Sequence, residues 1–400
     1  MHKPGRLKKL FNSAAICLAS ALSLGTGPSL AAPDITGNET VNISNNNMGH
    51  YCPSFPEFNP SYTRVSKEII KIEPDEHVRN KQKRLGILGF NLQADGIEGL
   101  RTKQGYKEFS MFYKPLLDFP DWQVVPTQKY DVQANSLIHN TDPLLDAFSE
   151  LALRDQKRFK VDSEVLSAIR LAHLYTDIDF GFMMELADAE SGFKPDIKSK
   201  RSSATGMYQF IDDTWLKTIK SYGHKYGLGI YADQVEFYTD DNGKERAIIN
   251  NPIIHQHVLE LRTNPRISAL LAAEFTLEND NKLSCYLNRK INRTERYLAH
   301  FFGPEDVVHF IRAFNNNPNQ IAADLFPDSA KANPGVFKPW RKGSQTIKQI
   351  YDKFDQKFNT GKYEDWDYKP FLMAKLYPND ENHKDFRISS IDNLKIKKKN

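Results

Sequence analysis

Asp179-Phe180-Gly181-Phe182-Met183-Met184-Glu185-Leu186-Ala187-Asp188-Ala189-Glu190-Ser191 spaces its apolar residues as a helix does. Phe180, Met183, Met184 and Ala187 recur at three- and four-residue steps, so they share one face. Glu190 is the next member of that stripe. Position alone leaves two readings open. The stripe can end at the surface with Glu190 solvated, as charged residues usually are. Alternatively the carboxyl lies on the buried face, resists ionising, and keeps its proton near neutral pH as a general acid must.

The same helical periodicity extends in both directions. Amphipathic runs fall near residues 144–159, 162–173, 212–223, 252–262, 266–279, 294–302 and 305–314, with no sustained alternating strand pattern. A small hairpin is expected around Asp240-Asp241-Asn242-Gly243, which lacks the ligand spacing of a calcium loop. The expected fold class is mainly α. Apolar content of 40%, with 25 Phe and 17 Tyr, is sufficient for a sizeable core.

Downstream of Glu190 comes Ser191-Gly192-Phe193. A loop then leads to Ser203-Ala204-Thr205-Gly206-Met207-Tyr208-Gln209-Phe210 and on to Ile211-Asp212-Asp213-Thr214-Trp215. Gly206 permits a close backbone approach. Gln209 offers a donor and an acceptor, as sugar hydroxyls and acetamides require. Tyr208, Phe210 and Trp215 are either flat walls for pyranose rings or ordinary core aromatics. Asp213 or Thr214 suits the start of the next helix.

The chain opens with Lys3, Arg6, Lys8 and Lys9, an apolar run from Leu10 to Leu24, and the small-residue site Ser29-Leu30-Ala31. This is the layout of a secretory signal peptide cleaved near Ala31, and the run is short for a membrane span. Cys17 follows Ile16 rather than a small residue, which argues against lipidation. Residues 1–31 carry four Lys/Arg and no acid, so their removal takes the formal charge from +4 to zero. The basic balance therefore gives no reason to expect nucleic acid. Two cysteines remain, Cys52 and Cys285, which an oxidising compartment would allow to pair. Neither has metal-type spacing. His173, alone on an expected helix, reads as structural. No cofactor or metal is expected.

Residues 32–74 are rich in Asn and Pro and read as a linker. In residues 75–118, Lys83-Arg84-Leu85-Gly86-Ile87-Leu88-Gly89-Phe90 leads into Asp95-Gly96-Ile97-Glu98-Gly99-Leu100-Arg101-Thr102. A helical run with Tyr106, Phe109 and Phe112 follows, which Thr102 is expected to cap. Leu88-Gly89-Phe90, Asp95-Gly96-Ile97, Gly99, Thr102 and Phe109 resemble a small three-helix peptidoglycan-binding domain; the alternative is a helix–turn–helix spacer. Residues 119–143 read as a connector, 144–345 as the main helical domain, and 346–400 as a C-terminal tail that packs on the domain or contacts glycan.

The stretch from Glu190 to Trp215 resembles the catalytic module of soluble lytic transglycosylases, which share a goose-type lysozyme-like fold. Glu190-Ser191-Gly192-Phe193 matches the family's Glu-Ser motif. Ser203-Ala204-Thr205-Gly206-Met207-Tyr208-Gln209-Phe210 matches its Ser-Ala-x-Gly block with Gln-Phe. The third motif, Ala-Tyr-Asn-Ala-Gly in most members, stands here as Ala299-His300-Phe301-Phe302-Gly303. That change resembles a subset of exported relatives, as do Leu261-Arg262-Thr263-Asn264-Pro265 and Leu325-Phe326-Pro327 through Ala332-Asn333-Pro334 to Phe337.

The resemblance implies a lysozyme-like helical catalytic domain that cuts peptidoglycan glycan strands between N-acetylmuramic acid and N-acetylglucosamine. It implies Glu190 as acid and then base, giving a 1,6-anhydro end. Ser191, Gly206, Met207, Tyr208, Gln209, Phe210, His300 and Phe301 would line the substrate site. His300 either bonds the sugar or steadies Glu190, or it is a core histidine. A hydrolytic muramidase would need a second carboxylate across the bond, and Glu274 and Glu278 are the candidates. A catalytically silent wall-binding scaffold is the other alternative. The chain is expected to act as a monomer in the periplasm, with cell-wall or secretion-machinery proteins as further partners.

Overall fold

The computed structural model describes residues 73–118 and 142–377, apart from 201, 242, 340 and 341. The expected signal segment, the expected linker up to residue 72 with Cys52, residues 119–141 of the expected connector and residues 378–400 lie outside the described residues. The described residues are mostly helical, as the periodicity predicts.

The first helices are α1 (Glu76–Ile87) and α2 (Leu100–Tyr113), closed by a 3-10 turn at Lys114–Asp118. The central body follows with α3 (Pro143–Phe159), α4 (Ser163–Thr176), α5 (Phe180–Ser191), α6 (Asp212–Tyr222) and the short α7 (Gly229–Ala232). A two-stranded antiparallel hairpin, β1 (Glu236–Thr239) and β2 (Glu245–Ile248), pairs Thr239 with Glu245 around the expected turn. Then come α8 (Pro252–Glu260), the long α9 (Pro265–Leu287), α10 (Arg293–Phe302) and α11 (Pro304–Asn316). Three short helices, α12 (Ala322–Leu325), α13 (Pro327–Ala332) and α14 (Pro334–Phe337), lead to α15 (Ile347–Phe358) and α16 (Lys369–Leu376).

Helix starts follow local chemistry. Pro occupies the first turn of α3, α8 and α9, where its missing N–H costs no bond. Asp142, Asn251 and Asn264 accept from the exposed amides at those same ends. Thr102 departs from expectation. It lies inside α2, whose N-cap is Gly99 without a side-chain bond. Buried Gln82 takes its hydroxyl instead, donating to Thr102 Oγ1 at 3.0 Å, because that amide spans the turn and must be satisfied from within it.

Helix α9 packs along α4, and α5 lies against α4. α5 is not the one-striped helix its spacing suggests: Phe180 through Ala187 are all buried. Even Glu185 is inside, facing Arg293 Nη1 at 3.3 Å and Thr360 Oγ1 at 3.3 Å. A central helix has neighbours on every side, so its polar side packs against protein as well.

From Pro74 onward the described residues form one compact unit. α1 and α2 share the body's hydrophobic core through Leu85, Leu88, Phe90, Phe109 and Phe112. At the other end, Ile347, Ile350, Phe354 and Phe358 form the buried stripe of α15, which packs on α10 and α11. A capping box between Thr346 and Gln349 begins that helix.

Candidate active site

Glu190 occupies the last turn of α5, which ends at Ser191 with Gly192 in the left-handed region at φ 61°. The carboxyl is buried; the residue is 7% exposed, and neither oxygen has a hydrogen-bond partner among the described residues. Burial pushes its pKa up to about 8, and Lys357 alone pulls the other way. The carbonyl end of the helix dipole also disfavours a negative charge at this position. Of the two readings that position left open, the structure takes the buried one.

His300, on α10, brings its Nε2 to 3.9 Å from Glu190 Oε1, beyond hydrogen-bond reach. Both ring nitrogens are without partners, and burial lowers its pKa to about 4. At neutral pH the acid is protonated and the imidazole uncharged. Tyr297, one turn earlier on α10, is buried with an unpartnered hydroxyl. Its pKa is held well above the ordinary value, first by burial and then by the Glu190 charge. Its ring stacks on Phe358 of α15 with centroids 3.7 Å apart. Phe301 is core, against Phe302 and Phe354.

The loop from 202 to 210 closes over the body through Arg262. The Arg262 guanidinium donates to the carbonyls of Ser203 and Phe210, each at 2.9 Å, and to Asp212 Oδ1 at 2.7 Å. The close approach that demands glycine at 206 is to this same residue. Gly206 has φ 87°, and a Cβ there would lie 2.1 Å from the Arg262 carbonyl oxygen. Gln209 uses its amide inside the loop, donating to the carbonyls of Gly206 at 2.9 Å and Ile197 at 3.3 Å. Ser191 donates to Ala187 O and accepts from the Lys194 amide, holding the helix end. Met207, Tyr208 and Phe210 are fully buried; Tyr208 donates to Met183 O at 3.3 Å, and Phe210 packs edge-on against Trp215. The side chains of these residues are therefore spent on holding the loop and the helix end together.

Other carboxylates are committed elsewhere. Asp188 accepts from Lys362 Nζ at 2.8 Å and from Tyr363 at 2.9 Å. Glu274 accepts from Lys225 Nζ and the Tyr226 hydroxyl, and Glu278 from Tyr222 and Lys282. His173 bonds Ile178 O and Tyr368, a structural role. Among the described residues no group of three His, Cys, Asp or Glu is arranged to hold a metal.

Three residues at or beside the site carried no role in the sequence reading: Arg262, Tyr297 and Lys357. Arg262 stands in the 261–265 block, and Tyr297 lies two residues before the 299–303 motif. Lys357 lies in the stretch read as a tail, although the buried stripe of α15 and its capping box were both visible there.

Residues 167–231 match the family model described as Transglycosylase SLT domain. The matched stretch runs from α4 to α7 and holds Glu190, Ser191 and the 203–210 loop, while His300, Phe301 and Lys357 lie outside it. The chain thus carries a lytic-transglycosylase-type domain on a mostly helical fold, and peptidoglycan is the substrate at the level of that family.

Proposed function

We propose that the chain is a lytic transglycosylase that cleaves the bond between N-acetylmuramic acid and N-acetylglucosamine, with Glu190 as acid and then base. The observation that carries this reading is the buried Glu190 carboxyl, pushed up to about 8, with no hydrogen-bond partner among the described residues and no second carboxylate acting on it. In the first step Glu190 donates its proton to the glycosidic oxygen. The bond from that oxygen to the muramyl anomeric carbon breaks, its electron pair staying with the oxygen. The muramyl acetamide oxygen supports the cationic centre. In the second step the muramyl 6-hydroxyl attacks the anomeric carbon as its proton passes to ionised Glu190. The acid is regenerated, a 1,6-anhydro ring closes, and no water is consumed. Both carboxyl oxygens are covered. The glycosidic oxygen therefore reaches Glu190 only once a covering side chain moves aside.

In this reading the 203–210 loop, with Gly206, Met207, Tyr208, Gln209 and Phe210, presents backbone to the glycan. Ser191, His300 and Phe301 shape the pocket around the acid. The reading includes export through residues 1–31 and action in the periplasm, with residues 75–118 as the wall-directed module.

A hydrolase would place water opposite a second carboxylate, and Asp188, Glu274 and Glu278 are all engaged by other partners. The test is mass analysis of glycan ends released from purified sacculi by the wild-type protein and by Glu190→Gln. Wild type is expected to release anhydromuramyl ends, lighter than hydrolysed ends by one water. The variant is expected to lose turnover by at least about 100-fold, the contribution of a positioned acid. Only reducing ends would make the enzyme a muramidase; normal turnover in the variant would remove Glu190 from the chemistry, and no turnover in either would leave a scaffold.

A further inference from the structure

Helix α5 ends badly for an anion. Its last turn carries Asp188 and Glu190 and no basic residue of its own. Unsatisfied carbonyls at a helix C-terminus favour cations and oppose negative charge. Both cations that answer this helix end come from the C-terminal stretch. Lys362 is committed, with Nζ 2.8 Å from Asp188 Oδ2. Lys357, on α15, makes no ion pair or hydrogen bond among the described residues. Its Nζ lies 6.0 Å from the Tyr297 ring centroid and 5.5 Å from that of Phe358. Those two rings are the stacked pair beside His300 and Glu190.

We infer that Lys357 is a positioning cation for Glu190, supplied by the C-terminal stretch to stabilise the carboxylate form of the acid. The inference rests on the transglycosylase reading for its purpose: the same carboxyl must first hold a proton and then ionise to take one back. Burial favours the first state, and a nearby uncommitted ammonium favours the second. Lys357 feels both Glu190 and Asp188, and desolvation holds its own pKa below the ordinary lysine value. Among the described residues the titratable groups around Glu190 are Tyr297 and His300 on α10 and Lys357 on α15, with Asp188 two residues before it on its own helix. Tyr297 and His300 are uncharged at neutral pH, and Asp188 is paired with Lys362. Lys357 is left as the charge that responds. The residue as a whole is exposed while its ammonium end lies over the Tyr297 and Phe358 rings, so water screens it in part and the effect is moderate.

The test titrates Glu190 by carboxyl carbon NMR in full-length wild type, Lys357→Met, Lys357→Gln and Lys357→Arg, with Glu190→Gln to assign the signal. Circular dichroism melts establish that each variant is folded. Loss of the cation is expected to raise the Glu190 midpoint by roughly half a pH unit in both neutral variants, and Lys357→Arg is expected to restore it. The alkaline limb of kcat/KM on sacculi should move upward with it, while kcat falls because the first step, which leaves Glu190 ionised, loses the charge that stabilises its product. An unchanged midpoint in the neutral variants, or an equal rise in Lys357→Arg, overturns the inference. The titration needs no turnover: a midpoint that follows the charge at 357 in a protein that releases no anhydro ends removes the transglycosylase reading and leaves the cation's role standing.

Discussion

Residues 76–118 and residues 347–376 both pack helices onto the central body, but they meet different parts of it. The first pair docks on α3, α4 and α9. Arg266 of α9 donates to Leu88 O at 3.2 Å and lays its guanidinium 3.9 Å from the Phe90 ring centroid; Ser167 also donates to Leu88 O. In the Leu88-Gly89-Phe90 turn, the most recognisable feature of this region in sequence, Leu88 and Phe90 are buried at that joint. The C-terminal helices carry no recognisable motif, yet α15 stacks Phe358 on Tyr297 beside Glu190. The strand of chain after it binds Asp188, Glu185 and Arg170. A motif records a local turn that any chain must solve the same way. A wall around an acid needs only an apolar stripe and a well-placed charge, and many sequences supply those.

The sharpest way to break this comparison is to cut one aromatic from each region. Phe109 and Phe358 are both fully buried. Replacing either with Ala should cost about 3–5 kcal/mol, read from urea melts. Phe109→Ala should keep normal glycan cleavage per folded molecule. Phe358→Ala should lose most of it, because Tyr297 and Glu190 lose their cover. Equal activity in the two variants would mean that α15 is only a prop.

The closed wall also has a signature in pH. Glu190 moves from an ordinary 4.5 to about 8 on folding, so the folded chain holds a proton that the unfolded chain releases. Wild-type stability must then fall as pH rises between those values, and level off above about 8. Glu190→Gln lacks this loss. The stability difference in favour of the variant should widen by roughly 1.4 kcal/mol per pH unit between 5 and 8. A pH-independent difference would show that the carboxyl is solvated and that the wall stands open.

The smallest effect belongs to the N-terminal joint. Arg266→Ala removes the bond to Leu88 O and the contact with the Phe90 ring, for about 1–3 kcal/mol. Glycan cleavage should not change. A loss of cleavage in a folded Arg266→Ala protein would tie residues 76–118 to the site after all.

Much of this was legible beforehand. The eight helices expected from periodicity are present with ends displaced by only a few residues, except α9, which continues to Leu287 beyond the expected 279. The hairpin turn falls where the Asp and Gly cluster stands. The side-chain roles at 206 and 209 were less legible: Gly206 makes room for Arg262, and Gln209 ties its own loop. Both read as ligand features because glycine and glutamine serve a backbone neighbour and a sugar through the same geometry. α5 misled in another way, since a stripe of period 3.6 describes one face and says nothing about what presses on the others.

Sequence alone determined the helical class, the caps and turns, and Glu190 within its Glu-Ser and Gly-x-x-Gln setting, because these depend on neighbours a few residues apart. Tertiary structure decided that Glu190 is dry, that His300 stands 3.9 Å from it, and that Arg262 ties down the 203–210 loop. It also decided that a lysine 167 positions later stands among the rings beside it. Burial and field are sums over everything that surrounds a group, and the chain assembles those surroundings only when distant helices meet.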